Sequence, residues 1–119
     1  LTEATRHLLD GGRIARMRRG AILVNTSRGA LVDTEALTEA LRSGRVAFAA
    51  LDVVEGEEGW FYRDCSGKGR APFHRLLELP NTIVTPHAAF YTQHALRDVV
   101  CNTILNCAEH KGGQKLWIS

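Results

Sequence analysis

The chain has 119 residues, 45% of them hydrophobic and 24% charged, with a formal net charge of +2. This is ordinary globular composition, sufficient for one small domain or for a piece of a larger one. The charge is too small to imply a polyanionic partner, and no apolar run approaches the ~18 residues of a membrane span. Three cysteines (Cys65, Cys101, Cys107) are an odd number with no CxxC pair and no metal-ligand spacing. They read as free thiols in a reducing compartment, which places the protein in the cytoplasm and predicts no metal. The opening Leu1-Thr2-Glu3-Ala4-Thr5 has no initiator methionine and no signal peptide, so a piece of a longer protein is expected.

Residues 11–19, GGRIARMRR, read as a short basic amphipathic helix ended by Gly20. Its four arginines form a candidate nucleic-acid patch. Without interleaved aromatics or a second basic cluster, a solvated helix face is the better reading. Ala21 to Val24 then form an apolar run that predicts a strand buried on both faces. Asn25-Thr26-Ser27 turns the chain, and Arg28 and Gly29 follow. A helix over about 33–43 has Asp33 or Thr34 as N-cap, an apolar stripe of Ala36, Leu37, Ala40 and Leu41, and Gly44 as its stop.

Residues 46–51, VAFAAL, predict a second buried strand ending at Asp52. The long loop over 53–72 carries five glycines or prolines and three consecutive aromatics; loops of this length are usually functional or mobile. A short helix over about 73–79 leads through Pro80-Asn81 into a third strand, residues 82–85, which ends at Pro86-His87. The longest helix is expected over about 92–108, with Ala95, Leu96, Val99, Val100, Ile104 and Cys107 at helical spacing. The tail shows no usable pattern.

The three strand ends recur roughly 30 residues apart with a helix in each interval, which is the βα repeat of a parallel sheet. Such a sheet gathers the groups past its carboxyl ends into one crevice. Those groups are Arg28, then Asp52 with Glu55 and Glu57, then His87. Arginine can hold a carboxylate through two parallel hydrogen bonds. Histidine can exchange a proton near neutral pH, and a carboxylate beside it can orient the ring. Together they describe proton-coupled chemistry on a small carboxylic acid. Taken singly, His87 could equally be a structural turn histidine, Asp52 a loop cap, and at least one of Glu55, Glu57 and Glu58 a solvated acid. A Ser/His/Asp hydrolase is the rival use of these groups, but Ser27 lacks the G-x-S-x-G elbow.

The runs VNTSRGALVDTEAL, AALDVVEGEEG and PNTIVTPHAAFYT resemble the C-terminal signature blocks of the NAD-dependent D-2-hydroxyacid dehydrogenases. The resemblance covers nearly the whole chain, from LTEATRHLL to the last helix. The EGEEG loop with its aromatics resembles the D-lactate dehydrogenase branch, where the glycerate and formate branches carry a proline-rich EPEP loop. EGEEGWFYRDC with LPNTIVTPHAAFYTQHALRD is similar to the D-lactate dehydrogenases of glycopeptide (vancomycin) resistance clusters.

This resemblance implies an α/β fold: a Rossmann-like parallel sheet with flanking helices over residues 1–90, the C-terminal half of an NAD-binding domain. Residues 91–119 would be a long C-terminal helix and tail returning towards a substrate domain. It implies reduction of a small 2-oxo acid, pyruvate to D-lactate, with NAD or NADP as cofactor, in a full-length homodimer that uses neither nucleic acid nor membrane. Arg28 would bind the substrate carboxylate and polarise its carbonyl, His87 would be the general acid, and Glu57 would pair with His87. Thr26, Ser27, Asp52 and Ala89 would join Arg28 and His87 around the cofactor, and Phe90 and Tyr91 would wall the substrate pocket. The alternatives are reduction of another 2-oxo acid, or a catalytically silent NAD-binding protein of the corepressor kind. The family's G-x-G-x-x-G fingerprint is absent from these residues, so the phosphate site is expected elsewhere in a longer polypeptide.

Overall fold

The computed structural model describes residues 1–62 and 71–110. They divide into two compact units, Leu1–Ala88 and Ala89–Ser119. Cys65, part of the long loop and the tail from residue 111 lie outside the described residues.

The first unit is built on three parallel strands, β1 (Ala21–Asn25), β2 (Val46–Leu51) and β3 (Thr82–Val84), adjacent in that order. The register pairs Leu23 with Ala49 and Ala49 with Thr82, one row of side chains on one face. The neighbouring row is Val24, Ala50 and Ile83, on the opposite face. α1 (Gly11–Arg16) precedes β1, and α2 (Thr34–Arg42) and α3 (His74–Leu77) lie between successive strands. A 3-10 turn at Gly29–Leu31 joins β1 to α2.

α2 starts where the sequence says it should. The Asp33 side chain accepts from the Ala36 backbone N–H at 3.0 Å, satisfying one donor that the first turn leaves over. Leu37, Ala40 and Leu41 are buried against the sheet, and the buried Thr38 hydroxyl donates to Thr34 O at 2.7 Å. With Ile14, Leu23, Ala49, Leu51, Phe73 and Leu76 they form one core. Phe61 adds a tilted contact to Phe73, ring centroids 5.7 Å apart. Part of the aromatic run in the long loop therefore serves packing.

Two expectations change. The basic helix ends at Arg16 instead of running to residue 19: Met17 is extended and packs on the core, and Gly20, at φ 80°, makes the turn into β1. The strands are also not buried on both faces. Leu23 and Asn25 are buried, but Ile22 and Val24 are each 66% exposed and Ile83 is 54% exposed. Sheet topology accounts for this. Crossovers between parallel strands are almost always right-handed, so strands that advance in one direction place every connecting helix on the same face. The order β1-β2-β3 advances in one direction and covers one face only.

The second unit contains α4 (Gln93–His110), which begins one residue later and ends two residues later than expected. Thr92 begins it, its hydroxyl accepting from the Ala95 N–H at 3.1 Å. Leu96, Val99, Val100, Ile104 and Leu105 are exposed along it, as are the free thiols of Cys101 and Cys107.

Candidate active site

Asn25, buried at the end of β1, shapes the turn that follows. Its amide nitrogen donates to Arg28 O at 2.9 Å and its amide oxygen accepts from the Ser27 N–H at 3.1 Å. The turn leaves Thr26, Ser27 and Arg28 exposed at the carboxyl edge of the sheet. The Arg28 guanidinium donates to Ser27 O at 2.7 Å and lines a cleft of about 360 Å³ with Arg6, Glu55, Gly56, Glu57 and Glu58.

Gly29 explains how that wall is built. A Cβ there would lie 2.2 Å from the carbonyl carbon of Val54 and 2.4 Å from its oxygen. The loop after β2 is pressed against the residue next to Arg28, and only a glycine permits the approach.

Past β2, Asp52 is buried and its backbone N–H donates to Asn25 O at 2.9 Å. Its Oδ1 accepts from the Thr85 hydroxyl and, at 2.8 Å, from the Ala88 N–H, while its carbonyl accepts from the His87 N–H at 2.8 Å. Asp52 thus ties the ends of β2 and β3 together. His87 sits at φ 52° in the left-handed region, an arrangement unfavourable for a residue with a Cβ by about 1–2 kcal/mol and sustained by these bonds.

That backbone geometry aims the imidazole at Glu57. His87 Nδ1 lies 2.9 Å from Glu57 Oε1, and Glu57 Oε2 accepts from the Val54 N–H at 2.6 Å. A carboxylate only accepts, so Nδ1 carries the hydrogen, leaving Nε2 as the nitrogen that exchanges protons. Glu57 is fixed at both oxygens and largely covered, while the His87 side chain is 42% exposed. An arginine on the wall of a cleft and an acid-oriented histidine bonded to the same wall can together hold an anionic group and deliver a proton.

The acidic run divides into separate roles. Glu57 binds His87, Glu55 binds Arg6 and His7, and Glu58 is exposed. Arg6 and His7 carried no sequence signal, since their partner lies almost fifty positions away in an aperiodic loop. Ala89, Phe90 and Tyr91 belong to the second unit, where they are exposed and the Phe90 and Tyr91 rings meet edge-on at 5.5 Å. A second cleft, of about 420 Å³ between α1 and α2, has only Glu39 and Arg45 as charged lining groups and gathers no comparable set.

A parallel three-stranded sheet with helices on its crossovers and polar groups gathered past its strand ends defines a Rossmann-like α/β unit, whose crevice is a ligand site. The chain belongs to the D-isomer specific 2-hydroxyacid dehydrogenases through their NAD binding domain, whose family model matches residues 1–89. It is 54% identical over 105 residues to the D-specific alpha-keto acid dehydrogenase of Enterococcus faecalis, covering 87% of this chain and 32% of that protein. It is 44% identical over 112 residues to the D-lactate dehydrogenase of Lactobacillus delbrueckii subsp. bulgaricus, covering 92% and 33%. Its fold matches the crystal structure of D-lactate dehydrogenase with NAD+ from Lactobacillus jensenii with a TM-score of 0.89 at 32% identity, over all of this chain and 37% of that one. The chain therefore spans about a third of the length of these relatives. Among the described residues, no helix is long and apolar enough to cross a membrane.

Proposed function

We propose that the intact polypeptide reduces a small 2-oxo acid, pyruvate to D-lactate, using NADH or NADPH. The observation that carries the reading is the His87–Glu57 pair, 2.9 Å apart and anchored through Glu57 to the Val54 N–H, in a wall shared with Arg28. Arg28 holds the substrate carboxylate and polarises the adjacent carbonyl. His87, its ring oriented by Glu57, gives the proton from Nε2 to the carbonyl oxygen as that oxygen gains charge.

The residues present fit the nicotinamide end of the cofactor. Thr26 and Ser27 are exposed hydroxyl residues beside Arg28, and Asp52 underpins the turn that carries His87. The dinucleotide, when bound, would supply the hydride to the carbonyl carbon. By the family resemblance of the PHAAFYT run, Phe90 and Tyr91 are assigned to the substrate side chain. The enzyme acts as a cytoplasmic homodimer, and its D-lactate supplies glycopeptide-resistant cell-wall precursors.

The test is to follow NADH and NADPH oxidation by the intact polypeptide against a panel of 2-oxo acids, with a stereospecific assay of the product. His87→Ala is expected to lower kcat by roughly 10²–10⁴-fold with KM little changed, while Arg28→Ala acts mainly on KM. A His87→Ala variant that turned over like the wild type would refute the general-acid assignment. NAD binding with no reduction of any acid would favour the silent, corepressor-like alternative.

A further inference from the structure

Glu55 is two residues from Glu57, separated by Gly56 at φ 79°, and it points to a different partner. Both its oxygens meet the His7 ring, Nε2 lying 2.9 Å from Oε1 and 3.0 Å from Oε2. Arg6 Nη2 donates to the same Oε1. Two consecutive side chains from the start of the chain thus converge on one carboxylate of the loop that carries Glu57.

The backbone beneath them is arranged for this. His7 stands at φ 49°, in the left-handed region that residues with a Cβ rarely enter. Its N–H donates to Ala30 O at 2.8 Å, Leu9 N–H to Leu31 O at 2.9 Å, and Asp33 N–H to Leu9 O at 3.1 Å. Residues 7–9 are in this way strapped to the segment just after Arg28. The loop at Val54 presses on that segment too, through the close approach at Gly29. Three stretches are stitched together at one point: 6–9, 28–33 and 53–57. An unfavourable conformation held at such a junction points to a task for the side chain it aims.

We infer that the Glu55 carboxylate, clamped by Arg6 and His7, is a positioning group that holds the 53–57 loop so that Glu57 meets His87 opposite Arg28. This rests on the 2-oxo acid reductase reading, and adds to it residues that touch neither substrate nor cofactor. The side chains of Arg6, His7 and Glu55 are 52%, 34% and 25% exposed. Ion pairs this open to solvent contribute little to global stability. The clamp therefore acts on the geometry of one loop, and small misplacements there weigh heavily on rate.

The experiment uses the intact polypeptide with Glu55→Ala, Glu55→Gln, His7→Ala and the double variant His7→Ala/Glu55→Ala. For Glu55→Ala, kcat is expected to fall roughly 10- to 100-fold, with KM for the 2-oxo acid nearly unchanged and the melting temperature close to wild type. The primary isotope effect with deuterated NADH should rise as the chemical step becomes slower. Glu55→Gln keeps the acceptor oxygens and should recover part of the loss. The double variant should be no worse than Glu55→Ala alone, because the two residues act as one unit. Backbone amide exchange should speed up at Glu57, whose N–H is bonded to Val54 O at 3.2 Å. Wild-type kcat in Glu55→Ala, a loss lying wholly in KM, or unchanged amide exchange would each overturn the inference. If the wild-type protein reduces no 2-oxo acid, the reductase reading fails, and the amide exchange alone then decides whether the clamp holds the loop.

Discussion

A carboxylate bonded at both oxygens has little freedom to leave the histidine it supports, and the wall that carries Glu57 owes its place to a missing side chain. Gly29 meets the Val54 carbonyl carbon at what would be 2.2 Å from a Cβ, and Glu55 N at 2.6 Å. Both contacts are backbone atoms, which cannot swing away as the end of a long side chain can. Gly29→Ala must therefore displace the loop, or the 3-10 turn, by a sizeable fraction of an ångström. Overpacking of this kind costs about 1–3 kcal/mol, and the closeness of the approach places this variant at the upper end. Denaturant unfolding of the intact polypeptide should show the lowered midpoint, and KM for the acid should rise because Arg28 moves with its neighbour. Unchanged stability and KM would mean that the loop does not rest on Gly29.

At the scale of the element, α2 shows how far local sequence reaches. Its apolar stripe, first-turn Glu35 and N-terminal Asp33 all agree, and the helix forms with Asp33 as cap. Asp33→Ala removes the acceptor for the Ala36 N–H and should cost about 1 kcal/mol in a melting experiment, with Asp33→Asn restoring most of it. A loss near zero would mean that water replaces the cap without penalty. The three strands were legible for the same local reason: each is an apolar run with a turn after it. What local pattern could not supply was the side of the sheet on which each helix lies, because strand order and crossover hand set that. Nor could it separate three glutamates in one run. Glu55 and Glu57 differ only in their distant partners, Arg6 with His7 for one and His87 for the other. Arg28 and His87 could be named from their places past the strand ends and Glu57 only through the family resemblance, while Arg6 and His7 emerge only when residues 6–9 fold against 30–33.

At the scale of the whole molecule, the uncovered sheet face decides how the 119-residue polypeptide behaves by itself. Ile22, Val24 and Ile83 stand exposed on it, with Phe48 and Ala50 half-covered in the same rows. Covering a large aliphatic side chain is worth about 1.5–3 kcal/mol, so three of them represent on the order of 5 kcal/mol, comparable with the whole stability of a small domain. In a doubly wound sheet that face is covered when further strands wind in the opposite direction and place their helices on it. The relatives, about three times as long as this chain, have the length for such a second half. α4 adds a second apolar surface through Val99, Val100, Ile104 and Leu105. Purified alone, the polypeptide should therefore self-associate in a concentration-dependent way, and Ile22→Thr/Val24→Thr should reduce that association. It should also show no pyruvate-dependent oxidation of NADH, since no G-x-G-x-x-G loop is present to hold the pyrophosphate. Sedimentation over a range of concentrations and an absorbance assay on the same sample measure both. A monomer at every concentration would show that the open face does not drive association, and measurable turnover would show that these residues suffice for catalysis.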